Sequence, residues 1–122
     1  GGGCLSEADL HDHTSDFVKP ISVDFFGARV WEAPPNGGGI TALLALNILR
    51  VLEEDGVIPP WPERPAVPSA EEEALLVHAQ IESVRLAYAD TAYYVGDPCA
   101  VQVPVHSLLS DDHARARARL FD

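Results

Sequence analysis

The chain has 122 residues, a net charge of −11 and a hydrophobic share of 47%, which suits one domain at the small end of the usual ~100–150 residue range. Its one basic cluster is Arg115, Arg117 and Arg119, so composition excludes the broad cationic surface that nucleic acid or an anionic membrane would need. Cys4 and Cys99 are two distant thiols, neither a disulfide framework nor a metal-binding spacing.

The chain opens Gly1-Gly2-Gly3 and contains no Met, so the natural start is expected upstream, and neither a targeting segment nor a compartment can be read. Ser6 ahead of Glu7, Ala8 and Asp9 is an N-cap hydroxyl followed by an acidic turn, which predicts a short helix over Glu7 to Asp12. Ile21 to Phe25 alternates apolar and polar, Phe26-Gly27 can turn, and Ala28 to Glu32 returns, which predicts a β-hairpin.

The hairpin delivers the chain into Ala33-Pro34-Pro35-Asn36 and three glycines. Prolines cannot extend a helix backwards, so a helix is expected to begin near Gly39 and to end at Asp55-Gly56. Ile40, Leu43, Leu44, Asn47, Ile48 and Val51 recur at helical spacing, and Ala42, Ala45, Leu46, Leu49 and Leu52 cover most of the remaining circumference. A helix this apolar on every side needs cover on every side, and it is too short to span a bilayer, which takes ~20 residues.

Residues 57–68 hold Pro59, Pro60, Pro62, Pro65 and Pro68 around Trp61 and read as a connector. Ser69 with Glu72 is a capping-box pair opening the longest helix, which runs to about Tyr94. On it Ala74, Val77, Ile81, Val84 and Tyr88 form one apolar stripe, with His78, Glu82 and Arg85 on an adjacent face. Gly96-Asp97-Pro98 ends that helix. Ala100 to Val105 is expected to be extended, and Ser110-Asp111-Asp112 to start a last helix with acidic residues early and basic ones late.

Three groups invite a chemical reading. His11, Asp12 and His13, with Asp9 and Asp16, have metal-ligand chemistry, yet alternating His in a polar loop fixes no geometry and no supporting shell; an exposed loop is the expectation. Asn36 to Gly39 offers amides to an anion at a helix start, but neither a Lys-Ser/Thr nor a spaced GxGxxG follows, so the glycines are expected to serve a sharp turn and close packing. His78, Glu82 and Arg85 with Asp90 have acid–base chemistry; their spacing on a helix is expected to give a polar network tying it to its neighbours. Asp97 before Pro98 reads as a turn-former. No Ser, Thr or Cys stands in an evident nucleophile setting.

Several stretches in one order carry a family resemblance. Gly2 to Leu10, Lys19-Pro20-Ile21, Val30 to Leu49, His78 to Asp90, Tyr94 to Pro98 and Val103 to Arg117 resemble the later part of the large subunit of γ-glutamyltransferases, also called glutathione hydrolases. The resemblance implies an N-terminal-nucleophile hydrolase with a four-layer αββα fold, made as a precursor that cleaves itself into two subunits. It implies that a new N-terminal Thr of the small subunit attacks the γ-glutamyl amide, its own α-amino group serving as base. That Thr would lie downstream of this stretch, and the Arg that holds the substrate carboxylate upstream.

Two departures from the family pattern stand out. Asn36-Gly37-Gly38-Gly39 replaces Ser-Ser-Gly-Gly after Pro34-Pro35, as in a divergent glutathione-hydrolase-like branch, and Asp90-Thr91 replaces Asp-Arg.

The expectation is therefore a helix-dominated α+β fragment, one incomplete domain over 1–122 with a hairpin and two long helices. It holds no catalytic, substrate-binding or metal residue and takes no cofactor. Its partners would be the small-subunit half of the same precursor and, in the complete enzyme, glutathione or other γ-glutamyl compounds, not nucleic acid. The rival expectations are a non-catalytic interaction fragment that binds through its apolar helix and a small anion-binding module using Asn36 to Gly39.

Overall fold

The structure is a computed structural model that describes residues 3–60, 63–64 and 67–122. Trp61, Pro62 and Pro65 of the proline connector, and Gly1 and Gly2, lie outside the described residues. Among the described residues seven elements follow in order: α1 (Glu7–Asp12), β1 (Ile21–Phe25), β2 (Ala28–Glu32), α2 (Gly39–Glu54), α3 (Ala70–Tyr94), α4 (Val105–Leu108) and α5 (Asp111–Ala118).

The hairpin pairs antiparallel with Ile21 opposite Glu32 and Phe25 opposite Ala28. Phe26 and Gly27 both have positive φ, 49° and 76°, the two-residue turn whose twist matches that of the strands it joins. Val23 is turned inward and buried, whereas Asp24 and Arg29 pair across the outer face at 2.8 Å, with the Arg29 guanidinium 6.0 Å from the Trp31 ring centre. One face rests on α2 and the other meets solvent.

α2 is the axis of the fold and touches both strands, α3 and α5. Ile40, Leu43, Leu44, Ile48, Val51 and Leu52 are at most 1% exposed, and burying each such side chain is worth ~1.5–3 kcal/mol. Ile48, Val51 and Leu52 join Ile58, Ala79, Ala114 and Ala118 in one cluster, while Ile40, Leu44 and Ala45 join Ala87 and Leu108 in a second. The helix stops where Gly56, at φ +73°, donates to the Glu53 carbonyl at 3.0 Å and Val57 to the Leu52 carbonyl at 2.8 Å. That crossed pair of bonds is the Schellman termination, and it needs the left-handed glycine. The cover on α2 is incomplete: Ala42 is exposed and Leu46 and Leu49 are half-buried. They floor a groove of about 440 Å³ walled by Phe25, Leu76 and Val84.

α3 starts as the capping box requires: Ser69 Oγ accepts from the Glu72 amide at 3.2 Å, and Glu72 accepts from the Ser69 amide at 2.8 Å. Its packed face differs from the apolar stripe. The buried residues are Ala79, Ser83, Ala87 and Asp90, whose small side chains bring α3 close to α2. Val77, Ile81, Val84 and Tyr88 are exposed.

Ala100 to Val105 is likewise not extended. Asp97 closes a turn there, its carbonyl accepting from the Ala100 and Val101 amides at 2.9 Å and its Oδ1 from the Cys99 amide at 2.8 Å. This is the local competition by which Asp carboxylates favour turns over strands. α4 then begins at Val105, a single turn that the short apolar run does not announce.

Candidate functional site

The polar centre of the molecule is Asp90, 2% exposed near the end of α3. Arg117 of α5 donates through Nε to Oδ2 at 2.9 Å and through Nη2 to Oδ1 at 2.5 Å. His113 Nε2 lies 2.7 Å from Oδ2; an ionised carboxylate only accepts, so Nε2 carries the proton. Burial pushes the Asp90 carboxyl upward, but the bonds from Arg117 and His113 outweigh it and hold the group below its ordinary value. Both carboxylate oxygens are thus occupied by α5, which makes Asp90 an anchor rather than a base free to take a substrate proton.

One residue further on, Thr91 ties α3 to α2. Its hydroxyl donates to the Ala87 carbonyl at 2.8 Å, and the Thr41 hydroxyl, also 2.8 Å away, donates to it, since each hydroxyl has one proton to give. The position that departs from the family's Asp-Arg pair is therefore filled by a half-buried helix-to-helix link. Asn47 of α2 adds another, donating to the Leu109 carbonyl at 3.2 Å.

At the α2 start, Gly39 has a steric reason to be glycine. A Cβ on Gly39 would lie 2.5 Å from Glu32 Oε2 and 2.7 Å from Glu32 Cβ. No side chain fits there, and a carboxylate already sits against the positive end of α2, where it favours the helix dipole. This arrangement is the close packing expected of the loop, and it leaves the helix start with an anion of its own.

The remaining sequence candidates are not brought together. His78 Nε2 pairs with the Asp122 carbonyl at 2.8 Å and its ring stacks 5.0 Å from Phe121. Glu82 and Arg85 form an exposed pair on α3, and Asp90 joins neither. Asp9 serves in the α1 capping box with Ser6, and no group of three metal-ligating side chains occurs among the described residues. Cys4 and Cys99 are free and exposed. The residue pair that sequence reasoning missed is His113 with Arg117. Its signal lay in α3, where Asp90 continues the small-residue face of Ala79, Ser83 and Ala87 and so demands a buried cationic partner.

A sequence model described as gamma-glutamyltranspeptidase matches residues 1–122, the whole chain. The chain belongs to the gamma-glutamyltranspeptidase family. A glutathione hydrolase proenzyme from Pseudomonas sp. (strain A14) is 34% identical over 117 residues, covering 93% of this chain and 18% of the relative. Among solved structures, a cephalosporin acylase from Bacillus halodurans has a TM-score of 0.73 at 38% identity, covering 97% of this chain and 19% of that one. A gamma-glutamyltranspeptidase from Pseudomonas nitroreducens, complexed with L-DON, has a TM-score of 0.72 at 27% identity, covering 99% of this chain and 33% of that one. These neighbours are N-terminal-nucleophile hydrolases, and the helix-rich arrangement with its two-stranded sheet is a piece of that fold. The chain spans about a fifth of the length of the curated relatives it matches.

Proposed function

We propose that the polypeptide carrying this chain is a γ-glutamyltransferase, or glutathione hydrolase, and that residues 1–122 are scaffold within its large subunit. The observation that carries the reading is the family match over every residue of the chain, with relatives named proenzymes. In the reaction a Thr hydroxyl outside this stretch adds to the γ-glutamyl carbonyl and passes its proton to the Thr α-amine. The leaving amine departs with that proton, and the ester formed is opened by water or by an amino acid or peptide amine. No residue of this stretch touches the reacting atoms. Its contribution is to hold α2, α3 and α5 in place through Asp90, Thr91 and the two apolar clusters. The partner is the small subunit of the same precursor, a reading supported by curated relatives that are named proenzymes.

The test compares residues 1–122 alone with the parent polypeptide, reading glutamate release from glutathione and from a γ-glutamyl anilide, and intact mass. The expected result is no turnover by the short chain, and turnover by a parent split into two subunits, the second led by Thr. Turnover by the short chain, or an unsplit inactive parent, overturns the reading. A second reading has one observation in its favour, the 38% identity to the cephalosporin acylase: the parent would hydrolyse the acyl amide of a cephalosporin. Offering both substrates to the same preparation separates the two.

A further inference from the structure

The loop that feeds α2 holds a chemistry that neither the packing nor the proposed reaction uses. Asn36 is followed by Gly37, and the only other asparagine among the 122 residues is Asn47. The two stand in opposite surroundings. Asn36 and Gly37 are both exposed, and among the described residues nothing bonds to the Asn36 carboxamide or to the Gly37 amide. Gly37 carries no side chain to crowd its nitrogen, and a Cβ built on it would have the Pro34 carbonyl oxygen as its nearest neighbour, 3.6 Å away. Asn47, by contrast, is 6% exposed within α2, and its Nδ2 donates to the Leu109 carbonyl at 3.2 Å. The amide after it belongs to a β-branched residue, Ile48, and is committed to the helix ladder.

We propose that Asn36 is a self-modification site, at which the folded protein converts asparagine to aspartate and isoaspartate with loss of ammonia. The Gly37 amide gives its proton to hydroxide, and the nitrogen attacks Asn36 Cγ. A C–N bond forms and closes a succinimide ring; the bond from Cγ to Nδ2 breaks, and Nδ2 takes a proton from water and leaves as ammonia. Water then adds to either imide carbonyl. Opening on one side restores the normal backbone with an aspartate side chain, and opening on the other leaves isoaspartate, whose backbone is longer by one methylene. The sum is asparagine plus water giving aspartate or isoaspartate plus ammonia. Glycine is the residue that makes the attack easy, because its backbone turns freely enough to bring the nitrogen onto Cγ.

The place of the product gives it weight. Residues 33–38 close Glu32 onto Gly39, where the Glu32 carboxylate lies against the head of α2. Modification adds a further negative charge to that loop and, in the isoaspartate form, an extra backbone atom at the entry to the helix on which the fold is built. The inference stands whether or not the parent polypeptide is a γ-glutamyltransferase.

The experiment incubates the parent polypeptide, folded and in guanidinium chloride, in mildly acidic and mildly alkaline buffer. Peptides holding Asn36 and Asn47 are read by mass spectrometry, in which each conversion adds about 1 Da, and electron-transfer fragmentation separates isoaspartate from aspartate. In the folded protein Asn36 is expected to convert at least tenfold faster than Asn47, faster still in the alkaline buffer, with isoaspartate among the products. Unfolding is expected to speed Asn36 by less than tenfold, since the folded loop is already open. Gly37→Ala, whose added Cβ meets only an ordinary contact, is expected to slow the conversion at least fivefold without moving the unfolding midpoint. A rate at Asn36 no higher than at Asn47, a rate that does not rise with pH, or a product free of isoaspartate, which direct hydrolysis would give, overturns the inference. So does an acceleration beyond tenfold on unfolding, which would mean that the parent polypeptide covers the loop, or an unchanged rate in Gly37→Ala.

Discussion

α1 and α5 have the same local grammar and different standing in the fold. Each follows a capping serine, Ser6 or Ser110, whose hydroxyl accepts an amide in the first turn, and each carries two acidic residues there. Yet α1 buries nothing, and the apolar side chains around it, Leu5, Leu10, Phe17 and Val18, are exposed. α5 buries Ala114 and Ala118 in a core cluster and is tied by Arg117 and His113 to Asp90. On the surface, Asp111 accepts from Arg50 at 2.7 Å and from Arg115 at 2.8 Å, and Arg115 reaches Glu54 at 2.8 Å. A cap decides that a helix exists and where it starts; burial and partners far away in sequence decide what its loss costs.

The sharpest way to break this contrast is at Asp90. Replacing it with Asn leaves Arg117 without its counter-charge at a position 3% exposed on the Asp90 side and 29% on the Arg117 side. Breaking a buried pair costs ~3–5 kcal/mol, and the exposure of Arg117 places the expected loss at the low end, ~3 kcal/mol, read by urea unfolding. The same variant tests the pH dependence. The Asp90 pKa is depressed in the folded state, so its stabilisation is present above the unfolded value of ~3.9 and lost as pH falls through the folded value. The acid limb of a stability profile below ~pH 4 is expected to be shallower in Asp90→Asn than in the parent chain.

A smaller effect is expected at the α5 cap. Ser110→Ala removes the bond that Ser110 Oγ accepts from the His113 amide at 3.2 Å, a loss of ~1 kcal/mol in global stability. Asp111→Ala, which removes the hub of the surface network, is expected to shift the unfolding midpoint less than Ser110→Ala, and the shift should vanish in about 1 M salt, where the screening length is ~3 Å. A shift at Asp111 that survives high salt would contradict the surface reading. Smallest of all, Ser6→Ala is expected to leave the global midpoint unchanged and only to speed amide exchange within α1. If Ser6 and Ser110 variants lose equal stability, α1 is docked after all and the contrast fails.

The same contrast explains what could be read from the sequence. Caps, turns and terminators act over a few residues, so Ser6, Phe26-Gly27, Gly39, Gly56 and Ser69 place element boundaries where the structure has them. The buried face of α3 was hidden because Ala79, Ser83 and Ala87 contribute closeness rather than hydrophobicity, and the more apolar row beside them draws the eye. Asp97 was legible as a turn-former, but its capture of the following amides, which cancels the extended run to Val105, was not. The Asp90 pairing with Arg117 spans 27 residues; the small-residue face of α3 signals that Asp90 is buried, but not which cation meets it. The family, by contrast, was legible because it depends on the order of several motifs and not on any contact.

The separation of partners along the chain also bears on biosynthesis. The hairpin, the tight approach of Glu32 to Gly39 and α2 itself all lie within residues 21–54, and α2 supplies its own terminator at Gly56. Contacts this local close quickly, at little entropic cost. The bonds from α5 reach back across 61 residues to Arg50 and Glu54. During translation the hairpin and α2 are therefore expected to associate well before α5 has left the ribosome, so the apolar face that awaits Ala114 and Ala118 spends that interval uncovered. Slow synthesis or a stall between Glu54 and Asp111 would prolong it, making this the window in which the nascent polypeptide is most in need of a chaperone.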